Sequence, residues 1–324
     1  MKKEAKAKEA KRTLAEKLSS AGSIIWAIVK IGFFLLIAFW LISLFFPSVE
    51  IISGNVAVVP IKGMITTEAD GVSFIGGQYA SSQKIVGWLE KAEESTGIKA
   101  ILLEINSPGG SPVATDEVVQ AVKKAKLAKP VYAVIRETGA SGAYWIASAS
   151  DKIVAGRMSV TGSIGVLASY LEFSGLMDDY NVTYQRIVAG KYKDAGSKYK
   201  ELTPDERALI QKKVDLIYEI FVADVAANRN IPIERMRLLA DGSIYLGAEA
   251  QNLGLVDVLG TKEDAIKLIE QDLGITADVY EFKKPAGLFG GFADAMSQGF
   301  YYIGRGIGAA FTSKAASSEL EINT

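Results

Sequence analysis

Apolar residues along this chain fall into runs of different length and period. The longest, Ser23 to Phe46 (SIIWAIVKIGFFLLIAFWLISLFF), carries a single charge, Lys30, near its amino-terminal end. A helix of about two dozen residues spans a hydrocarbon core ~30 Å thick, so this run predicts one transmembrane helix. The stem of Lys30 can snorkel to the headgroups. Shorter runs at Val56–Ile61 (VAVVPI), Ala100–Ile105 (AILLEI) and Val131–Ile135 (VYAVI) are apolar apart from Glu104. That is the pattern of strands buried on both faces. Helical periodicity fills the intervals at Ser82–Glu94 and Val113–Leu127. The alternation predicts an α/β domain with a largely parallel sheet under covering helices.

Further along, Lys152–Ala155, Ser163–Ser169 and Val182–Val188 read as strands. Pro204–Asn228 reads as a long helix, with Thr203 and Glu206 spaced as a capping box and Pro204 at the first helical position. Leu253–Val258, a helix near Lys262–Gln271 and Val279–Lys283 close the domain. After Pro285 the composition shifts to Gly, Phe and Ala before a polar end. The chain thus divides into a basic segment (1–22), the transmembrane helix (23–46), a linker (47–55), the α/β domain (56–284) and a Gly/aromatic-rich tail (285–324). For the apolar stretch Leu288–Phe311, four roles stay open: lying on the membrane, docking on a neighbour, entering the peptide groove of its own assembly as a self-substrate, or a mobile tail.

Charge orients this arrangement. Residues 1–17 hold seven basic and three acidic side chains, a net +4, and positive flanks stay cytoplasmic. From Pro47 onward the net charge is -6, which opposes nonspecific nucleic-acid binding. The domain is therefore expected on the extracytoplasmic face of the cell membrane. A cleaved signal peptide is the competing reading, but the run is too long and FFPSVEIISG lacks a small-x-small cleavage site.

The chain contains no histidine and no cysteine. A Ser-His-Asp triad, a thiolate nucleophile, a disulfide and the usual zinc sites are therefore excluded. Acid–base chemistry near neutrality falls to a carboxylate raised by burial, a lysine lowered by burial, or a tyrosine.

Four motifs offer such chemistry. Ile105–Ser111 (INSPGGS) joins a buried-type strand to a helix, where N–H groups at Gly109 and Gly110 can meet an oxyanion; an ordinary tight turn has the same composition. Thr138–Trp145 (TGASGAYW) puts Ser141 at a strand-to-helix turn, with the Gly142 N–H following it. Alone, a serine in this position is more often an N-cap than a nucleophile. Ser163, in SVTGSIGV, could hydrogen-bond an amine or serve only as a turn residue. Ala189–Lys200 (AGKYKDAGSKYK) supplies four lysines, and a desolvated lysine can activate a serine. Spacing does not choose among them.

In this order, TGASGAYW, SVTGSIGV and GKYKD resemble the signal peptide peptidase A family, in its single-domain form with one amino-terminal span. The resemblance covers roughly Val56 to Val258, and INSPGGS is shared more widely with the ClpP and crotonase-like fold. It implies that fold, built of repeated β-β-α units behind one transmembrane helix, and a serine peptidase with a Ser-Lys dyad. By the same resemblance Ser141 is the nucleophile and Lys193, rather than Lys191, the general base, because the motif falls on Tyr192, Lys193 and Asp194. Ser163 would orient that lysine, and Gly109 or Gly110 would supply oxyanion donors. No cofactor or metal is implied. Dome-shaped homo-oligomers, sites completed between subunits, and apolar substrates such as cleaved signal peptides are implied. Two other readings are a crotonase-like acyl-CoA enzyme and a non-catalytic oligomeric membrane scaffold.

Overall fold

A computed structural model describes residues 26, 29–38, 52–68 and 79–282, and the chain divides into two compact units, Met1–Ile51 and Ile52–Thr324. In the first unit Trp26 and residues 29–38 are helical and exposed, with the Lys30 ammonium 3.7 Å from the centre of the Trp26 ring. Among the described residues no helix is long and apolar enough to cross a membrane. The rest of the 23–46 run lies outside them, as do the basic segment and the tail.

The second unit begins with β1 (Val56–Lys62), the short pair β2 (Met64–Thr66) and β3 (Tyr79–Ser81), and helix α1 (Ser82–Glu94). Ile85, Trp88, Leu89 and Ala92 of α1 recur at helical spacing and are buried. Next come β4 (Ala100–Ser107), α2 (Pro112–Lys126), β5 (Val131–Ala140), α3 (Gly142–Ser148) and β6 (Lys152–Ala155). Pro112 opens α2 where its missing N–H is harmless, and Lys123, Lys124 and Lys126 complement its carbonyl end. The chain continues through β7 (Val160–Gly162), α4 (Ser174–Asp179), α5 (Pro204–Asn228), α6 (Ile233–Leu239), β8 (Ile244–Leu246), α7 (Gly247–Asn252), β9 (Val258–Leu259), α8 (Lys262–Leu273) and β10 (Val279–Glu281).

The main sheet runs β10-β1-β4-β5-β6-β9, all parallel, with β7 beside the far end of β5 and β8 antiparallel to β7. Alternate residues of each strand enter different cores. Ala57, Val59, Ile61, Leu103, Ile105 and Ile135 pack with α1, α2 and α3, whereas Val56, Val58, Leu102, Val134 and Val154 pack under Ala265 and Ile269 of α8. Burial on both faces explains runs that are apolar but for the ion-paired Glu104. The α/β class with a parallel sheet is as expected.

One irregularity positions everything that follows. Ile105 pairs with Ile135, but Ser107 pairs with Gly139, so β5 takes up two extra residues around Arg136–Thr138. The Asn106 carboxamide oxygen accepts the Thr138 N–H at 3.1 Å and occupies the bulge. Before it β5 pairs with β6; beyond it Thr138–Ala140 pair with β7.

Two expected strands are absent. Ser163–Ser169 leaves the sheet at once, because Gly162 and Ser163 take left-handed φ values of 76° and 49°. Val182–Val188 forms no ladder; Val182 is 51% and Ile187 96% exposed, so no neighbouring edge or apolar surface stabilises β structure there. Of Leu253–Val258 only Val258 is in a strand, since Leu255 and Val256 serve as core plugs after a turn at Gly254.

Candidate active site

Ser141 stands between the last residue of β5 and the first of α3, with φ 54° and ψ -127°. A left-handed serine costs roughly 1–3 kcal/mol, and its surroundings must hold it. Its N–H donates to the Gly162 carbonyl at 2.8 Å, and its carbonyl accepts the Trp145 N–H at 3.0 Å. Behind it every residue of α3 is buried. The Tyr144 hydroxyl donates to the Leu255 carbonyl at 2.9 Å, while the Trp145 ring stacks on Phe221 and donates to the Asp224 carboxylate at 3.0 Å. Burial pushes the Tyr144 phenol well above its usual pKa, so it stays a neutral anchor.

The Gly109–Gly110 turn lies directly against this serine. Gly109 has φ 98°, and a Cβ there would stand 2.8 Å from the Gly142 nitrogen and 2.9 Å from the Ser141 Cβ. Gly110 bridges Ile65 of β2, leaving no room for a side chain. The Gly109 N–H is already spent on the buried Ser107 hydroxyl at 3.1 Å. In the bridge, Ile65 bonds the Gly109 carbonyl and the Ser111 N–H, so the Gly110 N–H points to the other side. Of the glycine pair, Gly110 is thus the one with a donor to offer. The Gly142 N–H, first of α3, is the second such donor.

Ser163 sits next to Ser141, because Ala140 and Gly162 are register partners at the ends of β5 and β7. Its N–H donates to the Ser243 carbonyl at 2.7 Å. Thr161, the residue before Gly162 on β7, ties the strands further by donating its hydroxyl to the Gly139 carbonyl at 2.7 Å.

Lys193 is exposed, in a turn where its N–H donates to the Gly190 carbonyl at 3.1 Å. Within the single chain it makes no hydrogen bond to Ser141 or Ser163. The four lysines of this segment nevertheless separate. Lys191 is 2.6 Å from Asp205, which favours its charged form and raises its pKa. Lys200 is 2.7 Å from Glu206, and Lys198 lies over the Tyr199 ring. The Lys193 side chain alone has no such partner among the described residues. Its neighbour Asp194 is gripped by the Arg186 guanidinium, at 2.5 Å and 2.9 Å, which holds that carboxyl below the usual range. Asn106 and Ser107 stand inside INSPGGS and Thr161 inside SVTGSIGV, but neither spacing nor residue type marks them, or Arg186, as part of the site.

The arrangement can present a serine hydroxyl to a carbonyl and receive the resulting oxyanion on main-chain N–H groups. The model of peptidase family S49 matches residues 123–276, which include Ser141, Ser163 and Lys193. A Methanocaldococcus jannaschii protein that carries a protease name is 36% identical over 71% of this chain and 73% of its own. An Enterococcus faecium protein named for signal peptide peptidase SppA is 36% identical over 71% of this chain and 67% of its own. The chloroplastic serine protease SPPA of Arabidopsis thaliana is 28% identical over 70% of this chain and 32% of its own. This chain belongs to peptidase family S49, the signal peptide peptidase A family, and is a serine peptidase.

Proposed function

We propose that the chain is a membrane-anchored serine endopeptidase in which Ser141 is the nucleophile and Lys193 the general base, acting on cleaved signal peptides and other apolar peptides at the outer face of the cell membrane. The observation that carries the reading is the left-handed Ser141 at a strand-to-helix turn, packed against Gly109 and flanked by the N–H groups of Gly110 and Gly142. The anchor is the 23–46 run, and the domain has the ClpP/crotonase-like fold. The name of the Enterococcus faecium relative supports the substrate class.

In the mechanism a neutral Lys193 amine takes the Ser141 hydroxyl proton as the oxygen attacks the peptide carbonyl carbon. The oxyanion is received by the Gly110 and Gly142 N–H groups. Collapse breaks the C–N bond, and the Lys193 ammonium returns its proton to the leaving amine. Water, deprotonated by the same amine, then hydrolyses the ester and releases Ser141. Ser163, beside Ser141, orients the amine.

Neutrality requires a dry lysine, and Lys193 is exposed in the single chain. A second copy supplies the cover: Lys193 enters the site of a neighbouring subunit, whose surface excludes water. The exposed apolar residues of the same segment, Leu167, Leu171, Tyr180 and Ile187, fit such an interface. Ser141→Ala and Lys193→Ala should each abolish hydrolysis of an apolar reporter peptide while the assembled mass persists. Co-assembling the two inactive variants should restore activity at roughly a quarter of sites if subunits mix at random. A fully active lysine variant removes Lys193 from the mechanism, and a dead mixture removes sharing between subunits.

A further inference from the structure

Among the described residues two buried side-chain polar atoms lack a hydrogen-bond partner, Thr66 Oγ1 and Thr115 Oγ1. Both border the Gly109–Gly110 turn. Thr66 follows Ile65, the residue bridged to Gly110, and the Thr115 N–H donates to the Ser111 carbonyl one helical turn beyond it. An unpaired buried hydroxyl is a net cost to the fold, so its place beside the site calls for a physical reason.

Thr115 is fully buried in α2, and its hydroxyl oxygen lies against Gly142: a Cβ built on Gly142 would be 2.4 Å from Oγ1. This contact joins the two elements that carry the main-chain donors. Gly110 leads into α2, and Gly142 opens α3. The group wedged between α2 and Gly142 therefore sets how far apart the two N–H groups stand. A hydroxyl oxygen is smaller than a methyl, and in a close-packed interior that difference is felt as a backbone displacement.

We propose that Thr115 is a positioning residue for oxyanion stabilisation. Its unpaired oxygen stands where a methyl would otherwise be because it lets Gly142 approach α2 until the Gly110 and Gly142 N–H groups converge on one oxygen. The inference rests on reading Ser141 as the nucleophile. Thr115→Val presses a larger group on Gly142, which lowers stability, and removes the unpaired polar atom, which raises it; the two offset and Tm is not lowered. Thr115→Ser retains the oxygen and loses only the methyl.

The test compares kcat, KM and Tm of the full-length assembled parent, Thr115→Val, Thr115→Ser and Ser141→Ala on one apolar reporter peptide. Donors that act in the transition state show in kcat, and removing one outright costs about 10²–10³. Displacing one should lower kcat of Thr115→Val at least about tenfold, with KM within about twofold and Tm not lowered, whereas Thr115→Ser keeps kcat within about threefold. Parental kcat in Thr115→Val overturns the proposal. So does an equal loss in Thr115→Ser, or a loss in Thr115→Val accompanied by a matching fall in Tm. Activity surviving in Ser141→Ala would instead overturn the nucleophile assignment, which separates the two failures.

Discussion

Ser141 and Gly162 are joined by a 2.8 Å main-chain hydrogen bond that crosses from the end of β5 to the end of β7. It exists because β5 exchanges its neighbour at the bulge beside Asn106, pairing with β6 before it and with β7 beyond it. The serine is therefore held by a strand that the first half of β5 never touches. Displacing that partner should disturb the site before it disturbs the fold.

The bulge itself is the first place to test this. Asn106→Ala leaves the Thr138 N–H without the carboxamide oxygen it now meets at 3.1 Å. Losing a half-buried hydrogen bond costs about 0.5–1.5 kcal/mol, so a comparable fall in unfolding free energy is expected from denaturant titration. Because the strain is released next to Gly139–Ser141, kcat should fall by more than the fraction unfolded accounts for.

Gly109→Ala combines a φ of 98° with a Cβ placed 2.9 Å from that of Ser141. Backbone strain alone is worth about 1–3 kcal/mol, and the forced displacement acts directly on the nucleophile. A fall in kcat of about 10² or more is expected, in the range seen on loss of an oxyanion donor, with Tm lowered by several degrees. Steady-state hydrolysis and calorimetry on one preparation check both.

Arg186 should matter for rate and little for stability. Its fork on Asp194 fixes the turn that carries Lys193, yet Arg186 is solvent-accessible, and solvent-screened pairs add little to stability. Arg186→Gln is expected to leave Tm within about a degree or two while lowering kcat about tenfold. A parental kcat would show that the turn is set by other contacts.

Glu104 makes a pH-dependent contribution on the opposite face of the sheet. Burial opposes its ionisation, but the Lys262 bond at 3.1 Å and the charges of Lys262 and Lys62 outweigh that and hold its carboxyl below the ordinary 4.5. A carboxyl lowered in the folded state stabilises it above pH 4.5, and that share is lost as pH falls through the folded value. Glu104→Gln should therefore unfold at a lower temperature than the parent at pH 7, by an amount worth about 1–3 kcal/mol. The gap should close as the pH is taken below 4.5. A gap that stays constant with pH would mean that packing, and not charge, is what the substitution removes.

Much of this architecture is legible in the chain. VAVVPI, AILLEI and VYAVI are strands because each side chain finds a core on one face or the other, and Thr203 with Glu206 caps α5 as their spacing requires. Ser141 is visible as a strand-to-helix serine. Its left-handed φ is not, since it follows from the β5–β7 pairing and the wall formed by Gly109. The bulge was hidden because its stabilising bond comes from Asn106, 32 residues before Thr138. Val182–Val188 misled because β-branched residues favour a strand only where a partner strand exists. Lysine pairing was equally illegible: only folding shows Lys191 on Asp205 and Lys200 on Glu206, with Lys193 left over.

The most direct measurement is the rate at which a serine-reactive phosphonate modifies the assembled protein as a function of pH, with the adduct located by mass spectrometry. A Ser141–Lys193 pair predicts an adduct on Ser141 that forms already near neutral pH, and that forms scarcely at all in Lys193→Ala across the same pH range. An unmodified Ser141 in protein that still cleaves peptide, or a Lys193→Ala variant labelled at the parental rate, would contradict the account.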